Sequence, residues 1–116
     1  YVDALIQEAL VFEREENLEE AIKKMEEIVK TFPFDTEANF QLGRLYYNKN
    51  MIDEAIFQFE KVISIFPNHA NSLYSLGLAY SRKGEKEKAL SYFEKVLQLN
   101  PGHPDVLQKI KELKGE

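Results

Sequence analysis

Residues 42–67 read LGRLYYNKNMIDEAIFQFEKVISIFP and residues 76–101 read LGLAYSRKGEKEKALSYFEKVLQLNP, so one pattern returns after 34 positions. The columns that keep this step across the chain are a proline (Pro33, Pro67, Pro101), an alanine (Ala21, Ala55, Ala89), a glycine (Gly43, Gly77) and two large apolar positions (Phe12, Tyr46, Tyr80 and Met25, Phe59, Phe93). A fixed period of this length is typical of a tandem array in which each unit stacks on the next.

Each copy reads as two helices. In the second copy, Thr36 is the expected N-cap of the first helix, which should end near Asn50, a residue type that tolerates the left-handed C-cap conformation. Gly84 holds the matching place in the third copy. The second helix carries an apolar face and should be stopped by Pro67, because proline cannot continue the backbone hydrogen bonding.

Glycine recurs inside the first helix, at Gly43 and Gly77, although it costs about 1 kcal/mol there relative to alanine. We therefore expect a packing reason, namely two helices that approach too closely for a side chain. The alanine column should have the same role on the partner helix, so that a larger residue at Ala55 overpacks.

The pattern predicts an all-α protein with one domain over residues 1–116. Its three antiparallel helical hairpins are expected at residues 2–35, 36–69 and 70–103. A final amphipathic helix at residues 104–114, with Pro104 in its first turn, should cap the array by covering the last hairpin.

Composition and charge exclude several classes of function. The chain has 44% hydrophobic and 30% charged residues, which is typical of a globular protein, and no apolar run approaches the roughly 20 residues of a membrane span. A net charge of −5 argues against nucleic acid as a partner. Cysteine is absent, which fits a reducing or an oxidising compartment.

The chain begins at Tyr1 rather than at a methionine, and its first residues do not resemble a signal peptide. We therefore expect a processed product or a piece of a longer protein, with any targeting segment removed. A cytoplasmic location is only the default expectation.

No constellation of residues predicts catalysis, a cofactor or a metal. His69 and His103 are 34 positions apart, so their spacing follows from the repeat, and we interpret them as turn residues rather than metal ligands. The glutamate-rich stretch around Glu15 and Glu19 is typical of a solvated helix face. We expect a protein that is not an enzyme.

With these columns the chain resembles the tetratricopeptide-repeat (TPR) proteins. The matching residues are Leu42-Gly43-x2-Tyr46, Ala55-x3-Phe59 and Pro67, with their counterparts one period later; the first copy lacks the Leu-Gly pair. The resemblance implies a right-handed curved solenoid with a concave groove lined by the first helix of each pair. It also implies a non-enzymatic adaptor that binds a peptide or helix of another protein.

The groove can be placed one residue onward from the packing face, roughly 100° around each first helix. Large side chains align there from copy to copy, although closing the hairpins does not require them. The predicted groove residues, including polar neighbours of the strip, are Ile6, Leu10, Phe40, Gln41, Arg44, Tyr47, Asn71, Tyr74, Leu78 and Arg82. Such an apolar, aromatic strip with Arg44 inside it would suit an amphipathic helix or an extended peptide with an acidic group.

Three other interpretations of the strip stay open. Neighbouring first helices could use it to pack on each other, or it could be ordinary apolar surface. Alternatively, the chain could be a structural module that self-associates through the strip or its ends. Residues 1–35 carry ten acidic and four basic side chains and residues 70–116 carry six and eight, an asymmetry that favours weak head-to-tail homo-oligomers.

One family subtype is excluded by its residues. In the family that this chain resembles, the dicarboxylate clamp of chaperone-binding members consists of Lys, Asn, Asn, Lys and Arg. The aligned positions here hold Ile6, Leu10, Gln41, Asn71 and Ser75. Four apolar or neutral replacements and one asparagine cannot hold two carboxylates.

Overall fold

Seven α-helices and no strands make up the computed structural model, which describes residues 1–116. They are α1 (Val2–Arg14), α2 (Leu18–Thr31), α3 (Thr36–Asn48), α4 (Ile52–Ile65), α5 (Ala70–Arg82), α6 (Lys86–Leu99) and α7 (Pro104–Lys114). Each helix packs mainly on its neighbours in the chain, and the molecule is elongated, with extents of 43 × 26 × 21 Å. The predicted all-α superhelix of stacked hairpins is confirmed.

The helix ends differ from the prediction at one residue. Asp35 is the N-cap of α3, because its Oδ1 accepts a hydrogen bond of 2.8 Å from the backbone N–H of Ala38. Thr36 is therefore the first helical residue rather than the cap. His69 and His103 cap α5 and α7 in the same way, since the Nδ1 atom of each accepts from the backbone N–H of the third residue onward.

The turn inside each hairpin needs a left-handed residue. Asn50 and Gly84 have φ values of +68° and +80°, as the pattern predicts. The first hairpin places Glu16 there, with a φ of +62°. An L-residue other than glycine or asparagine costs about 1–2 kcal/mol in this conformation, so the first hairpin has the least favourable turn.

Gly43 and Gly77 each lie directly against a phenylalanine ring of the second helix of their hairpin. A Cβ atom on Gly43 would lie 2.7 Å from Cε1 of Phe59, and one on Gly77 would lie 2.5 Å from Cε1 of Phe93. The close approach is therefore confirmed, but the group that approaches is the ring on the second helix rather than the alanine column. All three alanines of that column are fully buried.

One continuous hydrophobic core runs through the array, from Ile6 in α1 to Val106 in α7. Polar contacts join the first two hairpins across it: the hydroxyl of Tyr46 donates to the Glu26 carboxylate of α2. The buried Asn39 donates through Nδ2 to the carbonyl oxygens of Pro33 (3.0 Å) and Asp35 (2.8 Å), which fixes the turn between α2 and α3. None of the helices combines the length and the apolar character required to cross a membrane.

Candidate peptide-binding groove

The first helices of the hairpins come together on one side of the molecule. Among helices that are not consecutive in the chain, α3 and α5 make the most extensive contact. The first helices α3 and α5 therefore lie closer to each other than the second helices α4 and α6 do, which gives this part of the stack a concave side.

Two connected hollows lie on this side. The smaller, of about 140 Å³, is lined by Arg44, Tyr47, Phe59, Ser75 and Leu78. The larger, of about 240 Å³, shares Tyr47 and Leu78 and adds Ser81, Arg82, Lys109, Glu112 and Leu113. We call these ten residues the groove.

Four predicted residues lie in this groove: Arg44, Tyr47, Leu78 and Arg82. Tyr47 and Leu78 are half-buried and line both hollows, so they form its apolar centre. The guanidinium of Arg82 lies over the Tyr47 ring at 5.0 Å from its centroid.

Phe40 and Tyr74 have a different main role from the one predicted. The Phe40 ring is 5.8 Å from the Phe59 ring and 5.3 Å from the His69 ring. The Tyr74 ring is 5.8 Å from Phe93 and is stacked on His103 at the same distance. Both rings therefore pack within their own hairpin and against the turn that follows it, which is a contact that the prediction did not assign to them.

Asn71 is exposed and lines a separate hollow of about 290 Å³, together with Tyr74 and His103. This hollow lies where α5, the end of α6 and the start of α7 meet. The structure therefore splits the predicted strip into the groove and this second depression.

The predicted groove position of Ile6 is wrong. Its side chain is 1% exposed and belongs to the core, so a partner cannot reach it. Ile6 occupies the repeat position of Phe40 and Tyr74, but those two rings are only partly buried whereas Ile6 is fully buried. Leu10 is half-buried against the core and lines neither hollow of the groove.

Arg44 is already paired within the chain. Its Nη1 and Nη2 atoms donate to the two carboxylate oxygens of Glu13 at 2.7 and 2.8 Å, a bidentate ion pair between α3 and α1. Its Nε atom donates to Oε1 of Gln41 at 2.8 Å, so the predicted residue Gln41 fixes the guanidinium instead of facing a ligand. The charge expected to attract an acidic partner at Arg44 is therefore neutralised by Glu13.

The same ion pair changes the acidity of Glu13. The hydrogen bond from Arg44 lowers the pKa of the Glu13 carboxyl below its ordinary value of 4.5, although partial burial opposes this shift. A carboxyl whose pKa is lowered by folding stabilises the folded state above its unfolded pKa, and this contribution disappears as the pH falls through the folded pKa.

We expect Glu13→Gln to lower the free energy of unfolding by about 1 kcal/mol at pH 7, because the substitution breaks a bidentate, partly buried pair. The difference from the wild type should shrink as the pH falls below the ordinary glutamate value of 4.5 and vanish below the lowered pKa. Urea denaturation followed by circular dichroism at several pH values measures both effects. Glu94→Gln makes the same change at an exposed site without an ion pair and should have little effect; a Glu13→Gln difference that does not vary with pH would contradict the assignment.

Three family models match the chain: a tetratricopeptide-repeat model at residues 3–35, a second at residues 70–103, and a TPR-repeat model at residues 43–84. The chain belongs to the tetratricopeptide-repeat family. A comparison with curated protein sequences finds no significant match.

Solved TPR structures have the same fold. The protein MamA is 26% identical with a TM-score of 0.89, over 98% of this chain and 68% of the MamA chain. YrrB, described as a TPR protein with an unusual peptide-binding site, is 33% identical with a TM-score of 0.86, over 95% of this chain. This TPR chain spans 57% of the YrrB chain.

The first TPR domain of Spaghetti (RPAP3), solved with the HSP90 peptide SRMEEVD, superposes with a TM-score of 0.92. That alignment covers 98% of this chain and 90% of the RPAP3 chain, at 14% identity. At this identity the similarity concerns the fold alone.

Proposed function

We propose that this TPR chain is a protein-interaction module that binds a peptide or an amphipathic helix of a partner protein in the groove. The observation that carries the proposal is the pair Tyr47 and Leu78, large apolar side chains that are half-buried and line both hollows of the groove. Aromatic side chains at the centre of a concave surface are the usual anchors of protein interfaces.

The composition of the groove also favours peptide binding. Ser75 and Ser81 supply hydroxyl groups beside the apolar centre, and Arg82 supplies unused N–H donors at its edge. A small set of polar groups around an apolar centre fixes the orientation of a bound chain. The similarity to YrrB, described as a TPR protein with an unusual peptide-binding site, is consistent with this function.

We expect Tyr47→Ala to weaken peptide binding about thirtyfold, which corresponds to about 2 kcal/mol for the loss of a central aromatic anchor. The test begins with selection of peptides from a random display library on the immobilised wild-type chain. The selected peptides are then synthesised, and their dissociation constants are measured by fluorescence anisotropy.

Phe57→Ala is the matched control, because Phe57 is an aromatic residue that is 65% exposed on α4 and does not line the groove. It should bind the selected peptides like the wild type. Peptides that bind Tyr47→Ala as tightly as the wild type would refute the groove. A wild type that dimerises in light scattering, with a monomeric Tyr47→Ala variant, would instead favour self-association through this surface.

A further inference from the structure

The basic residues of the groove differ in whether a carboxylate of the chain already pairs with them. Arg44 is held by both oxygens of Glu13, so it has little charge to offer a ligand. Arg82 and Lys109, on α5 and α7, have no carboxylate within ion-pair distance. Unpaired positive charge therefore concentrates at the larger hollow.

Two contacts orient the Arg82 side chain but leave most of its N–H donors free. Its guanidinium lies 5.0 Å from the centroid of the Tyr47 ring, and its Nη2 atom donates to Oδ1 of Asn50 at 2.9 Å. Arginine has five N–H donors, so most of them remain free for a ligand. Because two contacts already orient the guanidinium, little side-chain freedom is lost when it binds.

Lys109 and Glu112 face the same hollow from α7, next to the apolar side chain of Leu113. Glu112 accepts a hydrogen bond of 3.4 Å from Nε2 of Gln108 and makes no ion pair with either cation. Two cations and one carboxylate leave this part of the groove with net positive charge, although the whole chain has a net charge of −5.

We propose that the groove selects peptides in which a carboxylate neighbours an apolar side chain. The apolar side chain packs on Tyr47 and Leu78, and the carboxylate accepts hydrogen bonds from Arg82 and Lys109. This specificity rests on the proposed function and assigns it a ligand chemistry. It differs from the dicarboxylate clamp, whose positions hold Ile6, Leu10, Gln41, Asn71 and Ser75 in this chain.

The carboxylate can come from an aspartate or glutamate side chain or from the carboxyl terminus of the partner, and the experiment separates these sources. Each peptide selected from the random library is synthesised with its acidic side chains intact or replaced by their amides, and with a free or an amidated terminus. Fluorescence anisotropy then gives the dissociation constants for the wild type, Arg82→Gln, Lys109→Gln and the control Lys23→Gln. Lys23 is exposed on α2 and lies outside the groove.

We expect the wild type to bind the carboxylate form at least about tenfold more tightly than the amide form, as is usual for hydrogen bonds to a charged group. Arg82→Gln should bind the two forms almost equally and retain the apolar part of the affinity. Lys109→Gln should reduce the preference, and Lys23→Gln should preserve it. The preference should also weaken as salt is added.

A wild type that binds acid and amide forms equally would overturn the inference, and so would a full acid preference in Arg82→Gln. If the peptides still depend on Tyr47 in either case, the proposed function stands and only the ligand chemistry is wrong. If no selected peptide depends on Tyr47, the proposed function and the inference both fail.

Discussion

Phe59→Ala should lower the free energy of unfolding by about 3–5 kcal/mol, the usual cost of emptying the site of a buried phenylalanine. The Phe59 side chain is 1% exposed, and its ring packs against Gly43 and the Phe40 ring. Because small domains have a total stability of about 5–15 kcal/mol, the variant should unfold at a much lower urea concentration. Urea denaturation followed by far-ultraviolet circular dichroism measures the loss.

Phe57→Ala is the control for this prediction, because it removes the same atoms two positions earlier on α4. Phe57 is 65% exposed, and we expect a change within about 0.5 kcal/mol. Equal losses from the two substitutions would contradict the orientation of α4, since the fold requires one ring inside and the other in water.

The fold is predictable from the sequence because the apolar positions that recur every 34 residues are mostly the buried ones. Ala55, Phe59 and Val62 lie on one face of a helix, and all three are buried. The 34-residue step then places each hairpin on the one before it. Among the helix ends and turns, the cap at Asp35 and the left-handed turn residue Glu16 required the structure, since neighbouring polar residues compete for such positions.

The meeting of each glycine with a ring was harder to predict, because a periodic pattern shows which face is buried but not which side chains touch. A signal was nevertheless present in the first copy, where Ala9 replaces the glycine and Met25 replaces the ring. The two changes compensate each other. Ala9 adds a methyl group on α1, and the facing Met25 on α2 is narrower and more flexible than a phenylalanine ring.

The groove was predicted only in part, since helical phase gives the direction of a side chain and not its depth or its partner. Ile6 has the correct direction and lies inside the core, and Arg44 has the correct position and is neutralised by Glu13. Lys109 was missed because α7 was interpreted only as a cap. One further step of 34 residues from Ser75 reaches Lys109, so the repeat itself contained this signal.

Gly77→Ala should destabilise the protein by about 2 kcal/mol. The new Cβ atom would lie 2.5, 2.6 and 2.8 Å from three atoms of the Phe93 ring, which is fully buried. Overpacking of this kind costs about 1–3 kcal/mol, and three contacts this short place the cost at the upper end of that range. The better helix propensity of alanine offsets about 1 kcal/mol, so the net change remains a loss.

The structure also predicts how to recover part of this stability. Combining Gly77→Ala with Phe93→Met reproduces the pair Ala9 and Met25, both of which are buried in the first hairpin. Because the methionine side chain can bend away from the added methyl group, the double variant should be more stable than Gly77→Ala alone. Urea denaturation of the wild type, both single variants and the double variant forms a double-mutant cycle, with an expected favourable coupling of about 1–2 kcal/mol. Strictly additive losses in the free energy of unfolding would show that the Phe93 ring does not pack against Gly77.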